Sequence, residues 1–310
     1  MNGYVAQRLG YMFVTLFIIV SITFFLMQHL PGTPFTNPEK LSAEQLELMN
    51  EKYGLNKPVA LQYVSYLGGL VKGDLGISYQ YEGRSVNNIL GERIGPSVLI
   101  GSQALIFGVM VGLILGITSA LNHNSFLDYG SVTIAVLGMS IPSFVFAALL
   151  QYFIGVKLGW LPAALWESYE NTIMPSLALS VTVIATVARF IRTEMLEVLG
   201  QDYIVTARAK GISETAVVFK HIIRNATIPV LTMLGPLAVA IMTGTLVIEK
   251  IFTVPGLGEQ FTKSILVNDY SVIMGVTLMY SALFIWIVFI VDIFYGIIDP
   301  RISIQGRHEK

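Results

Sequence analysis

The stretch I-G-P-S-V-L-I-G-S-Q-A-L-I-F-G-V-M-V-G-L-I-L-G-I-T-S-A-L-N-H-N-S-F-L, Ile94 to Leu127, contains no Asp, Glu, Lys or Arg. A helix rising ~1.5 Å per residue along it is long enough to cross the ~30 Å hydrocarbon core of a bilayer. Five further windows are equally free of charge: Leu9–Pro38, Tyr129–Val156, Asn171–Ala188, Asn225–Ile248 and Tyr270–Val291. In lipid, only a helix or a closed barrel satisfies its own backbone groups, and apolar runs of this length read as helices. The expected fold is an all-α polytopic membrane protein with six transmembrane helices. Composition agrees: charged residues make up 13% of the chain, against ~25% in soluble domains. A soluble helical protein would need charged faces that these windows lack.

Zero cysteines exclude disulfides and thiolate metal sites, and no metal site is expected. A net charge of −1 offers no basis for nucleic-acid binding. The first apolar run, Tyr11 to Met27, exceeds a signal-peptide core and is followed by no A-x-A site, so it is expected to remain as a span.

Orientation follows from Lys and Arg. With the N-terminus inside, the inner face carries Arg8, Arg189, Arg192, Arg208, Lys210, Lys220, Arg224, Arg301, Arg307 and Lys310. The short outer loops carry only Lys157, Lys250 and Lys263. Positive charge in short loops marks the cytoplasmic side, so the expected topology is N-in/C-in. The loop Asn122–Asp128 is assigned inside yet has no Lys or Arg.

The chain divides into residues 1–30 (N-terminus and first span), 31–96 (an external segment) and 97–310 (spans two to six). The external segment shows helix punctuation. Ser42 and Gln45 form a capping-box pattern, Leu46 and Met49 supply an apolar face, and Gly54 follows Tyr53 as a stop. Pro58 can open a second helix to about Val71, and Ser85 can cap a third that holds Val86, Ile89 and Leu90. A small helical extracellular lobe between helices 1 and 2 is expected.

The polar loop 189–228 centres on D-Y-I-V-T-A-R-A-K-G, Asp202 to Gly211, followed by H-I-I-R-N-A-T-I-P, His221 to Pro229. Asp202 sits where a helix dipole favours a negative charge. Thr206, Ala207 and Ala209 are small enough for another surface to approach closely. Gly211 is placed to end the helix in a left-handed conformation, Ser213 to cap the next with Glu214 in its first turn, and Pro229 to open the following span. Spacing alone allows either a docking surface or an ordinary basic loop.

This segment resembles the coupling loop of ABC-importer permeases, whose pattern is E-A-A, three residues, Gly, then Ile-x-Leu-Pro. The chain has Val205, Thr206 and Ala207 at the first positions and Ile228-Pro229 at the end. That departure resembles the peptide branch (dipeptide, oligopeptide and nickel permeases), most of all its B-type oligopeptide/dipeptide subunits. Y-G-L-N-K-P (Tyr53–Pro58), K-G-D-L-G-I-S-Y (Lys72–Tyr79), S-I-P-S-F (Ser140–Phe144), E-K-I-F-T-V-P-G-L-G (Glu249–Gly258) and D-P-R (Asp299–Arg301) match the same branch in order.

The resemblance implies a non-enzymatic subunit in a bacterial cytoplasmic membrane. It implies pairing with a second homologous permease, two cytoplasmic ATPase subunits and an external peptide-binding protein, with peptide as cargo. Asp202, Tyr203, Thr206, Ala207, Arg208, Ala209, Lys210 and Gly211 would form the ATPase-coupling helix. ATP-Mg would reside on the partners and no cofactor on this chain, which has no Gly-Lys dipeptide and hence no phosphate loop. Whether the cargo is a dipeptide, an oligopeptide, a signalling peptide or a nickel complex stays open.

Rival classes fare poorly. An ion-coupled transporter would place an ionisable residue deep in a span, and the six windows hold none; Asp292 lies near the end of the last. H-E-x-x-H and G-x-S-x-G are absent. For the translocation path, Pro142 is expected to distort the third span, with Ser140 and Ser143 either facing a water-filled path or packed at a structural kink. Glu249 opens an expected external loop, Glu249–Gly258, that could receive cargo.

Overall fold

The structure is a computed structural model describing residues 2–30, 34–35, 42–81 and 83–298. The terminal D-P-R, Arg301, Arg307, Lys310 and part of the expected lobe, 36–41, lie outside the described residues. Among those described, the architecture is helical, with one isolated antiparallel bridge, Ile77 to Ser85. The helices are α1 (Asn2–His29), α2 (Ala43–Tyr53), α3 (Val59–Val71), α4 (Val86–Leu121), α5 (Phe126–Ser140), α6 (Ser143–Leu150), α7 (Ile173–Leu199), α8 (Asp202–Ala209), α9 (Glu214–Val217), α10 (Arg224–Phe252), α11 (Leu257–Leu266) and α12 (Tyr270–Ile298).

Among the described residues, five helical stretches are long and apolar enough to span a membrane. A sixth span arises if α5 and α6 count as one, and these are bent by 101° at the break between them. The third charge-free window is therefore broken. Pro142 disfavours helical dihedrals at the residue before it, and Ile141 is extended at φ −91°, ψ 119°. Large apolar side chains face outward along α1, Phe13 at 75% exposure among them, which suits lipid as the surrounding solvent.

The chain forms two compact units. One comprises Met1–Pro96 and Pro255–Ile285. Its α2 begins with the expected capping box: the Gln45 N–H donates to Ser42 Oγ (3.2 Å) and the Ser42 N–H to Gln45 Oε1 (2.9 Å). Gly54 ends α2 in the left-handed region. α3 leans on α1 through Tyr63, whose hydroxyl lies 2.6 Å from Ser21 Oγ, and Tyr66, stacked on Phe24. Burial pushes the Tyr66 hydroxyl up to about 12, with Tyr79 adding to the effect.

The expected third lobe helix does not stand alone. Val86, Ile89 and Leu90 are the first turns of α4, which continues through Pro96 to Leu121. They pack with Leu257, Val272 and Val276, so the segment 31–96 shares its core with α11 and the start of α12. Gly275 permits the contact, since a Cβ there would lie 2.5 Å from Val86 Cγ1. Buried Asp269 ties this together: it accepts from the Ser78 hydroxyl and from the Tyr79 N–H at 3.2 Å, and caps α12 at Val272.

The second unit, Ser97–Val254 with Trp286–Lys310, holds the larger core, built on α7 and α10. Gly108, Gly112 and Gly116 recur every fourth residue along one face of α4. A Cβ on Gly108 would lie 2.6 Å from Val183 Cβ, one on Gly112 2.8 Å from Val187 Cβ, and one on Gly116 would overlap Ile191 and the Ala188 carbonyl. Lipid gives no hydrophobic drive for helix association, so close backbone approach over small residues carries the packing.

Candidate functional site

The segment after α7 is built from its ends inward. α7 closes at Leu199, and Gln201 precedes α8, whose first residue is the exposed Asp202. α8 ends in a Schellman motif. The Gly211 N–H donates to the Arg208 carbonyl (2.9 Å) and the Ile212 N–H to the Ala207 carbonyl (3.3 Å). Gly211 has φ +78°, the left-handed conformation expected from the sequence, and no atom lies within 4 Å of where its Cβ would be.

α8 has two faces. Ile204 and Ala207 are buried in the core that includes Ile191, Met195, Val217 and Ile222. Ala207 therefore belongs to the inward face, a correction to its expected place on a close-approach surface: it lies three residues from Ile204 and points the same way. Asp202, Tyr203, Val205, Thr206, Arg208, Ala209 and Lys210 are exposed. Tyr203 Oη accepts from Asn225 Nδ2 (3.2 Å), fixing α8 to the start of α10. Arg208 grips Glu214 of α9 through Nε (3.1 Å) and Nη2 (2.5 Å). Ser213 occupies the N-cap position but makes no side-chain cap bond.

Pro229 does not open the next span. The helical path runs from α9 through a π-helical turn, Val218–Ile223, into α10, and Pro229 and Pro236 lie inside it.

The expected path residues separate. Ser140 closes α5 and donates to the Val136 carbonyl (2.8 Å); Pro142 caps α6 and Ser143 starts it, so these three sit together at the break. Glu249 does not join them in an open path. It lies within α10, fully buried, and accepts from Ser97 Oγ at 2.6 Å. The expected loop Glu249–Gly258 begins only after Phe252. Its left-handed residue is Thr253 (φ 53°) rather than a glycine. Leu165, also at positive φ, donates its N–H to Thr253 Oγ1 (2.7 Å) and the Phe252 carbonyl (3.1 Å), clamping the α6–α7 connection to the end of α10.

A cluster that spacing did not reveal lies at the opposite end. Asp128, at 2% exposure, accepts from Arg192 Nε (2.7 Å) and Nη2 (2.9 Å), Ser119 Oγ (2.5 Å) and the Asn124 N–H (2.9 Å), with His123 Nδ1 3.0 Å away. Arg192 thus brings a cation to the loop that has none of its own. Among the described residues no group of His, Asp or Glu is arranged to hold a metal ion.

Two family models match the chain: the binding-protein-dependent transport system inner membrane component over residues 108–304, and its N-terminal membrane component over residues 1–92. The chain belongs to this inner membrane component family. The dipeptide transport system permease protein DppB of Lactococcus lactis is 44% identical over 98% of this chain and 100% of its own length. The Bacillus subtilis protein of the same name is 42% identical over 99% and 100%. The oligopeptide transport system permease protein OppB of Haemophilus influenzae is 40% identical over 97% and 99%. Among solved structures, an inward-facing form of the MetNI methionine ABC transporter matches with TM-score 0.58 at 16% identity, covering 68% of this chain and 96% of that one. That likeness is one of fold. As a family member with several apolar helices, the chain is a multi-pass membrane protein.

Proposed function

We propose that this chain is the membrane-spanning permease subunit of an ATP-driven peptide importer. It forms half of the translocation pore beside a second homologous permease, and two ATPase subunits drive it through Asp202–Gly211. The observation that carries the reading is similarity along nearly the whole chain to relatives named as dipeptide and oligopeptide permeases. The geometry of α8 supports it. Its exposed face is available to a partner, while Ile204 and Ala207 seat it in the core shared with α7 and α10. A push on α8 would therefore reach two spans directly, and the Tyr203–Asn225 bond stiffens that link. ATP-Mg would be held by the partner ATPases.

In this reading the topology is six spans, both termini inside, with the external segment facing the binding protein. That face carries a cavity of about 720 Å³ walled by Phe24, Tyr53, Tyr66, Tyr79 and Gln62. The test is reconstitution of this chain with its cognate permease, ATPases and binding protein in proteoliposomes. ATP-dependent uptake of labelled peptides is expected. Uptake that persists without the ATPases, or transport of nickel complexes with no peptide uptake, would overturn the reading.

A further inference from the structure

A second recess lies between α4, α5 and α7. It has a volume of about 240 Å³ and is walled by Gly116, Ala135, Val136, Met139 and Ala188, with Arg189 and Arg192 at its edge. Ala135 and Ala188 are small, which opens the recess, while Gly116 brings α4 close against α7 beside it. Val136 and Met139 are half exposed, so it continues onto the apolar outer surface of α5. Arg189 is the first charge after the window Asn171–Ala188, which places its guanidinium where the apolar part of α7 ends.

The charges around the recess do not cancel. Asp128 does not line it and is spent on the bidentate pair with Arg192, and His123 lies against both. Arg192 keeps Nη1 without a hydrogen bond among the described residues. Arg189, three residues earlier on the same face of α7, is exposed and has no ion-pair partner among them. The site therefore combines uncompensated positive charge with an apolar wall. Guanidinium forks fit phosphate oxygens, and basic recesses between spanning helices at the interface suit anionic headgroups.

We propose that this recess binds one anionic phospholipid, with the phosphate on Arg189 and Arg192 and the upper acyl chain along Val136 and Met139. A free phosphate would gain nothing from the apolar wall, and a zwitterionic lipid would add a cation to a site already positive. The inference is independent of which cargo the transporter moves.

The test is native mass spectrometry of the assembled transporter in nonionic detergent, titrated with phosphatidylglycerol, phosphatidylcholine or inorganic phosphate. The wild type should retain one phosphatidylglycerol more tightly than the Arg189→Gln variant by about fivefold, the weight of one basic side chain at an anionic surface. Met139→Trp, which fills the recess without touching a charge, should lose the same lipid and decides the matter if Arg189→Gln fails to assemble. Equal retention in wild type and variants would overturn the proposal, as it would if a second permease covers the recess. Equal retention of phosphatidylcholine, or displacement of the lipid by inorganic phosphate, would overturn it too.

Discussion

Arg192 of α7 holds Asp128 of α5 through two parallel hydrogen bonds, Nε to Oδ1 at 2.7 Å and Nη2 to Oδ2 at 2.9 Å. The carboxylate is almost wholly buried, while the guanidinium keeps a quarter of its surface exposed. The asymmetry decides what each substitution does. Removing Arg192 leaves a buried charge without its counter-ion, whereas removing both leaves no buried charge, only a packing defect and the Ser119 and Asn124 donors without their acceptor.

Arg192→Met should therefore destabilise the purified transporter by about 3 kcal/mol, at the lower end for a broken buried pair because water reaches the arginine. Asp128→Ala combined with Arg192→Met should be more stable than Arg192→Met alone. Arg192→Lys should fall between, since an ammonium cannot reproduce the fork. Thermal unfolding of the three variants checks the order, and an Arg192→Met protein as stable as wild type would refute it.

The bend at Pro142 makes topology a question of parity. If α5 and α6 together cross the membrane, three crossings separate α2 from α9; if they re-enter, only two do. Single cysteines at Glu51 and Glu214 should then label from opposite sides of sealed vesicles. Labelling from one side would leave five spans and put the termini on opposite faces.

The glycine row on α4 predicts its own failure. At Gly116 even a methyl group would overlap Ile191 and the Ala188 carbonyl of α7, and a backbone oxygen cannot rotate away as a side chain can. Gly116→Ala should cost about 1–3 kcal/mol through overpacking, and Gly91→Ala, with open space around it, much less. Melting temperatures of the two variants separate local packing from a general intolerance of α4.

What the sequence disclosed was whatever local chemistry encodes. Charge-free windows marked five candidate spans and a sixth that is bent, Ser42 and Gln45 marked the start of α2, and Gly211 marked the left-handed end of α8. The glycine spacing from Gly108 to Gly116 was equally legible and would have pointed to a tight helix contact. What stayed hidden needed partners far apart in the chain. Asp128 looked like a loop residue until Arg192 reached it, and Glu249 like the start of a loop until Ser97 buried it. Ala207 read as a small outward residue because composition does not say which side of a short helix faces the core. Thr253 took the left-handed position because the Leu165 N–H bonds its hydroxyl, a contact no turn rule anticipates.

Gly211 offers the sharpest test of coupling. Its φ of +78° is disfavoured for any residue with a side chain, and no neighbour crowds the position, so a substitution there acts through the backbone alone. Asn tolerates the left-handed region, while a β-branched residue does so poorly and is strained by about 1–2 kcal/mol or more. Relaxing that strain means losing the two bonds that close α8, from Gly211 to Arg208 and from Ile212 to Ala207, which would swing the exposed face of the helix out of place. The spans do not depend on that turn. Gly211→Val should still insert and pair with the second permease, yet lose peptide-stimulated ATP hydrolysis and uptake in parallel, while Gly211→Asn should retain most of both. Normal coupling in the valine variant would count against α8 as the ATPase lever. Equal loss in both variants would show that the position tolerates no side chain at all, and would place a partner surface directly against it.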